Sequence, residues 1–126
     1  MIPVLDTSVL IDIENNSEPS LARLKEIRKT YETPPRISFI TYFEFFHGLR
    51  RRQFEKRKEA MELLDLFDIL EMGKTTARKM SQLKDSYPSL SLSDVIIASQ
   101  AIECGGILIT RDRDFEQIKE LEKVIF

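Results

Sequence analysis

The chain has 126 residues, 42% hydrophobic and 32% charged, which suits one compact domain spanning residues 1–126. The formal net charge of -2 excludes a globally basic nucleic-acid binder, so affinity for nucleic acid must come from a local patch. A single cysteine, Cys104, excludes an internal disulfide. Since there is neither a signal-peptide pattern nor a run of roughly 20 apolar residues that crosses a bilayer, we expect a cytoplasmic protein without membrane contact.

Short apolar strands alternate with helices along the chain. In order, the pattern predicts a strand at 2–5, a helix at 7–14 capped by Thr7 or Ser8, a helix around Leu21 to Ile27, a strand at 36–40, helices at 41–51 and 54–67, a strand at 67–72, helices within 73–89 and 92–106, a strand at 107–110, a helix or turn at 111–121 and a strand at 123–126. This alternation predicts the α/β class, with a three-layer α/β/α sandwich and a mainly parallel central sheet.

The helix at 41–51 has apolar residues on several faces, so we expect it to be well buried. Gly48 within it is expected to end the helix, bend it or permit a close contact. The phenylalanines of this region, Phe39, Phe43, Phe45 and Phe46, are expected in the core or in a subunit interface.

Four carboxylates lie in apolar or tightly patterned surroundings: Asp6, Glu44, Asp94 and Asp112. Asp6 and Asp112 follow predicted strands, and ligands of parallel sheets bind beyond the carboxyl ends of strands. Clustered carboxylates repel one another, and Mg²⁺ or Mn²⁺ reverses that penalty because these ions prefer oxygen ligands. The sequence lacks CxxC and HExxH motifs, which argues against zinc, and its single histidine, His47, argues against a serine–histidine–acid site.

Each acid also has a structural interpretation: Asp6 as a helix cap, Asp94 as a first-turn acid, Asp112 as a turn residue, and Glu44 as the partner of Arg50 or Arg51. The set of four is harder to explain in this way. Under the structural interpretation, three acids at unrelated helix ends or turns would have to lie by chance at the same sheet edge as a buried glutamate.

These residues resemble the motifs of PIN-domain ribonucleases, and within that family the small VapC-type toxins. The resemblance runs nearly end to end and rests on four segments: VLDTSVLID with Asp6, ISFITYFEFFHGL with Glu44 and Gly48, LSDVIIASQA with Asp94, and ILITRDRDF with Thr110, Asp112 and Phe115. In one departure, the segment YPSLSLS before Asp94 lacks the glycine that the family often has there. In another, the fourth segment has a second acid, Asp114.

The resemblance implies roles for the site residues. Asp6, Asp94 and Asp112 would hold the metal, and Glu44 would bind metal or orient the attacking water. Asp114 is an auxiliary candidate, as a ligand through water. The hydroxyls of Thr7, Ser8 and Thr110 would orient carboxylates or substrate, although helix capping and strand-end hydrogen bonds explain them equally well.

The implied activity is a metal-dependent endoribonuclease that hydrolyses RNA phosphodiesters with Mg²⁺ or Mn²⁺. The resemblance also implies a homodimer silenced by a cognate antitoxin. One alternative is a PIN-type RNA-processing nuclease without a toxin role. Another is a non-catalytic binding module, such as a phospho-acceptor domain. The sequence argues against this alternative, because it lacks the paired acids and the lysine of phospho-acceptor domains.

The segment 50–58 contains six basic residues and one acid. Arg50, Arg51 and Arg52 follow the Glu44 helix directly and are candidates to bind phosphates that flank the scissile bond. The alternatives are a solvated helix face or a contact with an acidic partner.

Overall fold

Five short strands form the central sheet. The structure, a computed structural model, describes all 126 residues. The strands are β1 (Ile2–Leu5), β2 (Arg36–Ser38), β3 (Asp68–Leu70), β4 (Gly106–Thr110) and β5 (Lys123–Ile125). The helices are α1 (Thr7–Glu14), α2 (Glu18–Thr30), α3 (Phe39–Leu49), α4 (Phe54–Leu64), α5 (Lys74–Ser86) and α6 (Leu92–Glu103), and a 3-10 helix covers Arg113–Gln117. None of these helices combines the length and apolar character needed to span a bilayer.

The sheet is entirely parallel, with strand order β3-β2-β1-β4-β5. The chain moves outward from β1 to β2 and β3, then returns to place β4 on the other side of β1. This reversal creates a switch point between β1 and β4, where open α/β sheets bind their ligands. Asp6 and Asp112 follow these two strands.

Both faces of the sheet are covered, which confirms the three-layer prediction. Neighbouring residues of a strand point to opposite faces, so Val4 packs with α5 and α6 while Leu5 packs with α1, α3 and α4. All five residues of β4 are buried. Gly106 begins that strand, and a Cβ there would lie 2.7 Å from the carbonyl oxygen of Ile2, so this pairing requires glycine.

Two local predictions were wrong in detail. The strand predicted at 36–40 ends at Ser38, because the Ser38 hydroxyl accepts a hydrogen bond from Ile40 N–H and caps α3. Asp6, rather than Thr7 or Ser8, caps α1. The helix or turn predicted after β4 is confirmed as a short 3-10 helix, capped by Asp112.

Helix α3 is less buried than its apolar content predicted. Phe45 and Leu49 pack beneath it, but Phe39, Phe43 and Phe46 are 53%, 53% and 45% exposed. One sheet face covers only one side of a helix, and these three rings form a stripe at helical spacing on the other side. Of the three roles expected for Gly48, the close contact is absent, since a Cβ built there meets no neighbouring atom within 4 Å; α3 ends one residue later, at Leu49.

Candidate functional site

Asp6 lies at the carboxyl end of β1 and is 5% exposed. Its backbone N–H donates to Ile109 O on β4, which fixes the residue at the switch point. Oδ1 accepts from Thr7 N–H at 2.7 Å, and Oδ2 accepts from the Ser8 and Thr110 hydroxyls at 3.0 and 2.5 Å. Asp6 therefore caps α1 through Oδ1, while Oδ2 accepts hydrogen bonds from hydroxyls of α1 and β4.

Thr110 connects Asp6 to Asp112. Its hydroxyl donates to Asp6 and accepts from Asp112 N–H at 2.9 Å. Asp112 Oδ1 in turn accepts from Asp114 N–H at 2.9 Å. The end of β4 therefore holds both acids by hydrogen bonds to Thr110, which is fully buried.

Asp94, Asp112 and Asp114 form the tightest acidic group. One carboxylate oxygen from each lies within 4.8 Å of the others. Asp94 reaches this group from the first turn of α6, which Ser91 begins by accepting a hydrogen bond from Asp94 N–H at 3.1 Å. Asp114, predicted as auxiliary, lies inside this group, whereas Asp6 lies beside it.

The electrostatics of the site show that the acids interact. Burial raises the pKa of Asp94 to about 6; the Ser91 hydroxyl opposes this rise, and the charges of Asp112, Asp6 and Asp114 add to it. Burial also raises the pKa of Asp6, against its hydrogen bonds with Thr110, Ser8 and Thr7, and the charge of Asp112 adds to the rise. This is the behaviour expected of carboxylates brought together without a cation.

Glu44 occupies a different position from the one predicted. It is exposed rather than buried, since it lies on the side of α3 that the sheet does not cover. Its Oε1 accepts from the Thr7 hydroxyl at 3.2 Å, and that hydroxyl is also 3.2 Å from Thr41 Oγ1. Glu44 thus connects to the Asp6 side of the site through Thr7, and it forms no ion pair with Arg50 or Arg51.

The basic segment lies toward the other end of the helices. Arg52 forms an ion pair with Glu14, the last residue of α1, and its guanidinium lies 5.9 Å from the Phe45 ring centroid. At 1.5 Å per residue, Glu14 is about 12 Å along α1 from Asp6. Arg50 and Arg51 are exposed. Arg52 is thus the least available of the three arginines predicted to bind RNA.

Sequence reasoning missed an ion pair next to the site. Arg111 Nη1 lies 2.7 Å from Asp12 Oδ1, and Asp12 is 6% exposed. The available signal was a second acid inside the apolar run VLIDIE, on the same side of α1 as Val9.

The donor set fits a hard divalent cation. The three ion pairs in the structure join Glu14, Asp12 and Glu116 to arginines, so none neutralises the acids of the site. Carboxylate oxygens are the ligands that Mg²⁺ and Mn²⁺ prefer. Asp94, Asp112 and Asp114 could bind such an ion, with Asp6 next to them.

Comparison with known proteins places the chain in one family. The model of the PIN domain matches residues 4–121. No curated protein matches the chain. A chain of VapBC-1 from nontypeable Haemophilus influenzae is 27% identical with a TM-score of 0.80, covering 99% of this chain and 98% of that one. A chain of a toxin–antitoxin complex from Klebsiella pneumoniae is 26% identical with a TM-score of 0.77, covering 94% of each.

VapBC2 from Rickettsia felis, solved bound to a DNA fragment from its promoter, shares the fold at 20% identity and a TM-score of 0.83, covering 100% of this chain and 99% of that one. These structures confirm the resemblance to VapC-type PIN proteins. The family model spans nearly the whole sequence, and it includes all four segments that suggested the resemblance. The chain therefore belongs to the PIN domain family.

Proposed function

We propose that this protein is a metal-dependent endoribonuclease and the toxin of a toxin–antitoxin pair. PIN domains are nucleases, a class of hydrolases. The observation that supports the proposal most directly is the group of carboxylates at the switch point, which has no cationic partner in the protein.

The proposal gives each acid a role. Asp6, Asp94 and Asp112 would hold Mg²⁺ or Mn²⁺, and Asp114, which lies in the same acidic group as Asp94 and Asp112, would be an auxiliary ligand. When bound, the ion supplies a water nucleophile and stabilises charge on the leaving oxygen. Glu44, exposed and connected to Asp6 through Thr7, orients the attacking water.

Three further parts of the proposal concern partners. The VapBC complexes among the similar structures support a cognate antitoxin. The exposed stripe of Phe39, Phe43 and Phe46 supports a protein interface, which we assign to a homodimer. Arg50 and Arg51, which are exposed and basic, would contact RNA phosphates.

The test measures both chemistry and metal binding. Purified protein is incubated with a panel of RNAs, with and without Mn²⁺, beside the variants Asp6→Asn and Asp94→Asn. Asp68→Asn is the matched control, because Asp68 is exposed at the amino end of β3, opposite the site, and loses the same charge. Mn²⁺ affinity is measured by calorimetry on the same proteins.

We expect Mn²⁺-dependent cleavage by the wild type and by the control, with loss of cleavage and weaker Mn²⁺ binding in both site variants. Cleavage that persists in Asp6→Asn and Asp94→Asn, with folding intact, would reject the assignment of these acids to the catalytic site. Failure of the wild type to bind Mn²⁺ would reject the metal-dependent mechanism.

A further inference from the structure

Arg111 lies between Thr110 and Asp112, and no role in the proposed chemistry has been given to it. Its side chain is 54% exposed, yet the guanidinium is held at 2.7 Å from Asp12 Oδ1. Charge-assisted hydrogen bonds of this length are among the strong ones in proteins. The side chain is therefore directed away from the acidic group and toward α1.

Asp12 is a firm anchor for this contact. It is buried in α1, and its other oxygen accepts from the Ser20 hydroxyl of α2 at 2.6 Å. Removing Arg111 would leave the buried Asp12 carboxylate with the Ser20 hydroxyl as its remaining side-chain donor. The ion pair thus joins the segment after β4 to two helices on one face of the sheet.

The backbone of Arg111 is held as well. Its N–H donates to the Ser8 hydroxyl at 3.2 Å, and that hydroxyl donates to Asp6. On either side, the Thr110 hydroxyl donates to Asp6 and accepts from the N–H of Asp112. Within segment 110–112, Arg111 is the residue whose side chain binds a group outside the site, namely Asp12.

We propose that Arg111 is a positioning residue for Asp112. Its ion pair with Asp12 fixes segment 110–112 so that the Asp112 carboxylate faces Asp94 and Asp114. This inference rests on the proposed metal site and adds a supporting pair, Arg111 and Asp12, that determines how well the site is formed.

The direction in which cation affinity changes when Arg111 is replaced distinguishes a positioning role from a purely electrostatic effect. Removing a positive charge near a cation site should strengthen cation binding if charge alone matters. Loss of positioning should weaken it, since partners that orient metal ligands typically change metal affinity by about tenfold or more. The variant Arg111→Gln therefore gives opposite results under the two explanations.

The experiment measures Mn²⁺ affinity by calorimetry on the purified full chain, with thermal melting to verify folding. Arg113→Gln is the matched control, because Arg113 also follows β4 and pairs with Glu116 at 2.7 Å, but both side chains are exposed. We expect roughly tenfold weaker Mn²⁺ binding in Arg111→Gln, unchanged or tighter binding in Arg113→Gln, and partial recovery in Arg111→Lys.

A double variant, Arg111→Gln with Asp12→Asn, keeps the net charge and leaves no buried carboxylate unpaired, so it tests the proposal if the single variant does not fold. It should also bind Mn²⁺ more weakly than the wild type. Wild-type affinity or tighter in Arg111→Gln, or wild-type affinity in the double variant, would overturn the positioning role. Those results leave the metal site intact, whereas unchanged binding in Asp94→Asn would reject the site itself.

Discussion

Replacing Asp94 with asparagine should stabilise the metal-free protein at neutral pH. Burial and the neighbouring acids raise the pKa of Asp94 from its ordinary 3.8 to about 6. The folded state therefore holds the proton more tightly than the unfolded state, and the free energy of unfolding falls as pH rises through this window. Above pH 6 the full penalty of the ionised carboxylate is present, and Asp94→Asn removes it.

The size of the effect follows from the pKa. One pH unit corresponds to about 1.4 kcal/mol for a single proton, so the interval from 3.8 to 6 gives an upper bound of about 3 kcal/mol. Because Asp94 is only partly buried, solvent screening reduces this to about 1.5 kcal/mol. Asparagine also loses the favourable interaction with the α6 dipole, roughly 0.5 kcal/mol. The expected net stabilisation is about 1 kcal/mol at pH 7.

Urea unfolding in EDTA, measured from pH 3.5 to pH 7.5, provides the assay. The difference between Asp94→Asn and the wild type should be largest above pH 6 and should decline as pH falls toward 3.8. Asp68→Asn is again the control for a change in net charge. Mn²⁺ at about a hundred times its Kd should stabilise the wild type by about 2.7 kcal/mol and reverse the order of the two proteins.

A variant that is less stable than the wild type at pH 7 in EDTA would refute this reasoning, because it would mean that the carboxylate is favourably solvated or paired. A stability difference independent of pH would refute it as well, since the penalty must follow the ionisation of Asp94.

Three further substitutions test how the strand ends are held. Thr110→Val removes a buried donor to Asp6 and should lower the free energy of unfolding by about 1 to 3 kcal/mol, measured by urea unfolding. Gln100→Leu removes the donor to two backbone carbonyls near the end of β3 and should lower it by about 1 to 3 kcal/mol in the same assay. Gly106→Ala places a Cβ 2.7 Å from Ile2 O and should lower the free energy of unfolding by about 1 to 3 kcal/mol, which is measured as a lower melting temperature.

Each of these substitutions has a control or a contradicting result. Thr110→Ser keeps the hydroxyl and should retain most of the stability that Thr110→Val loses. Wild-type stability in Gln100→Leu would mean that the carbonyls find other donors. An unchanged melting temperature in Gly106→Ala would show that β1 and β4 separate without cost.

The sequence predicted the elements wherever local signals were strong. The helix predicted within 92–106 forms as α6, capped by Ser91, and the apolar segment at 107–110 forms the most buried strand, with Gly106 added at its start. The predictions for Asp6 show the limit of local signals. Its position directly after β1 predicted either a helix cap or a site residue. The structure shows the cap contact with Thr7 and a hydrogen bond from Thr110, and the site role stays a prediction.

Long-range packing decided what the sequence left open. The predicted burial of Glu44 was wrong because apolar neighbours in the sequence say nothing about which side of α3 faces the sheet. Asp114 joined Asp94 and Asp112 because the 3-10 helix turns its side chain toward α6. The Arg111–Asp12 pair connects residues 99 positions apart; the apolar run around Asp12 marked that acid, but no local pattern marked Arg111 as its partner.

By itself, the sequence determined the parallel α/β architecture and the set of acids, since strand and helix periodicity and residue chemistry are local properties. Only the tertiary structure decided which of these acids lie within contact of one another and which cations are already engaged. Those distances depend on how β1 and β4 pair and how α3 and α6 pack against them, and packing of this kind joins residues that the chain keeps far apart.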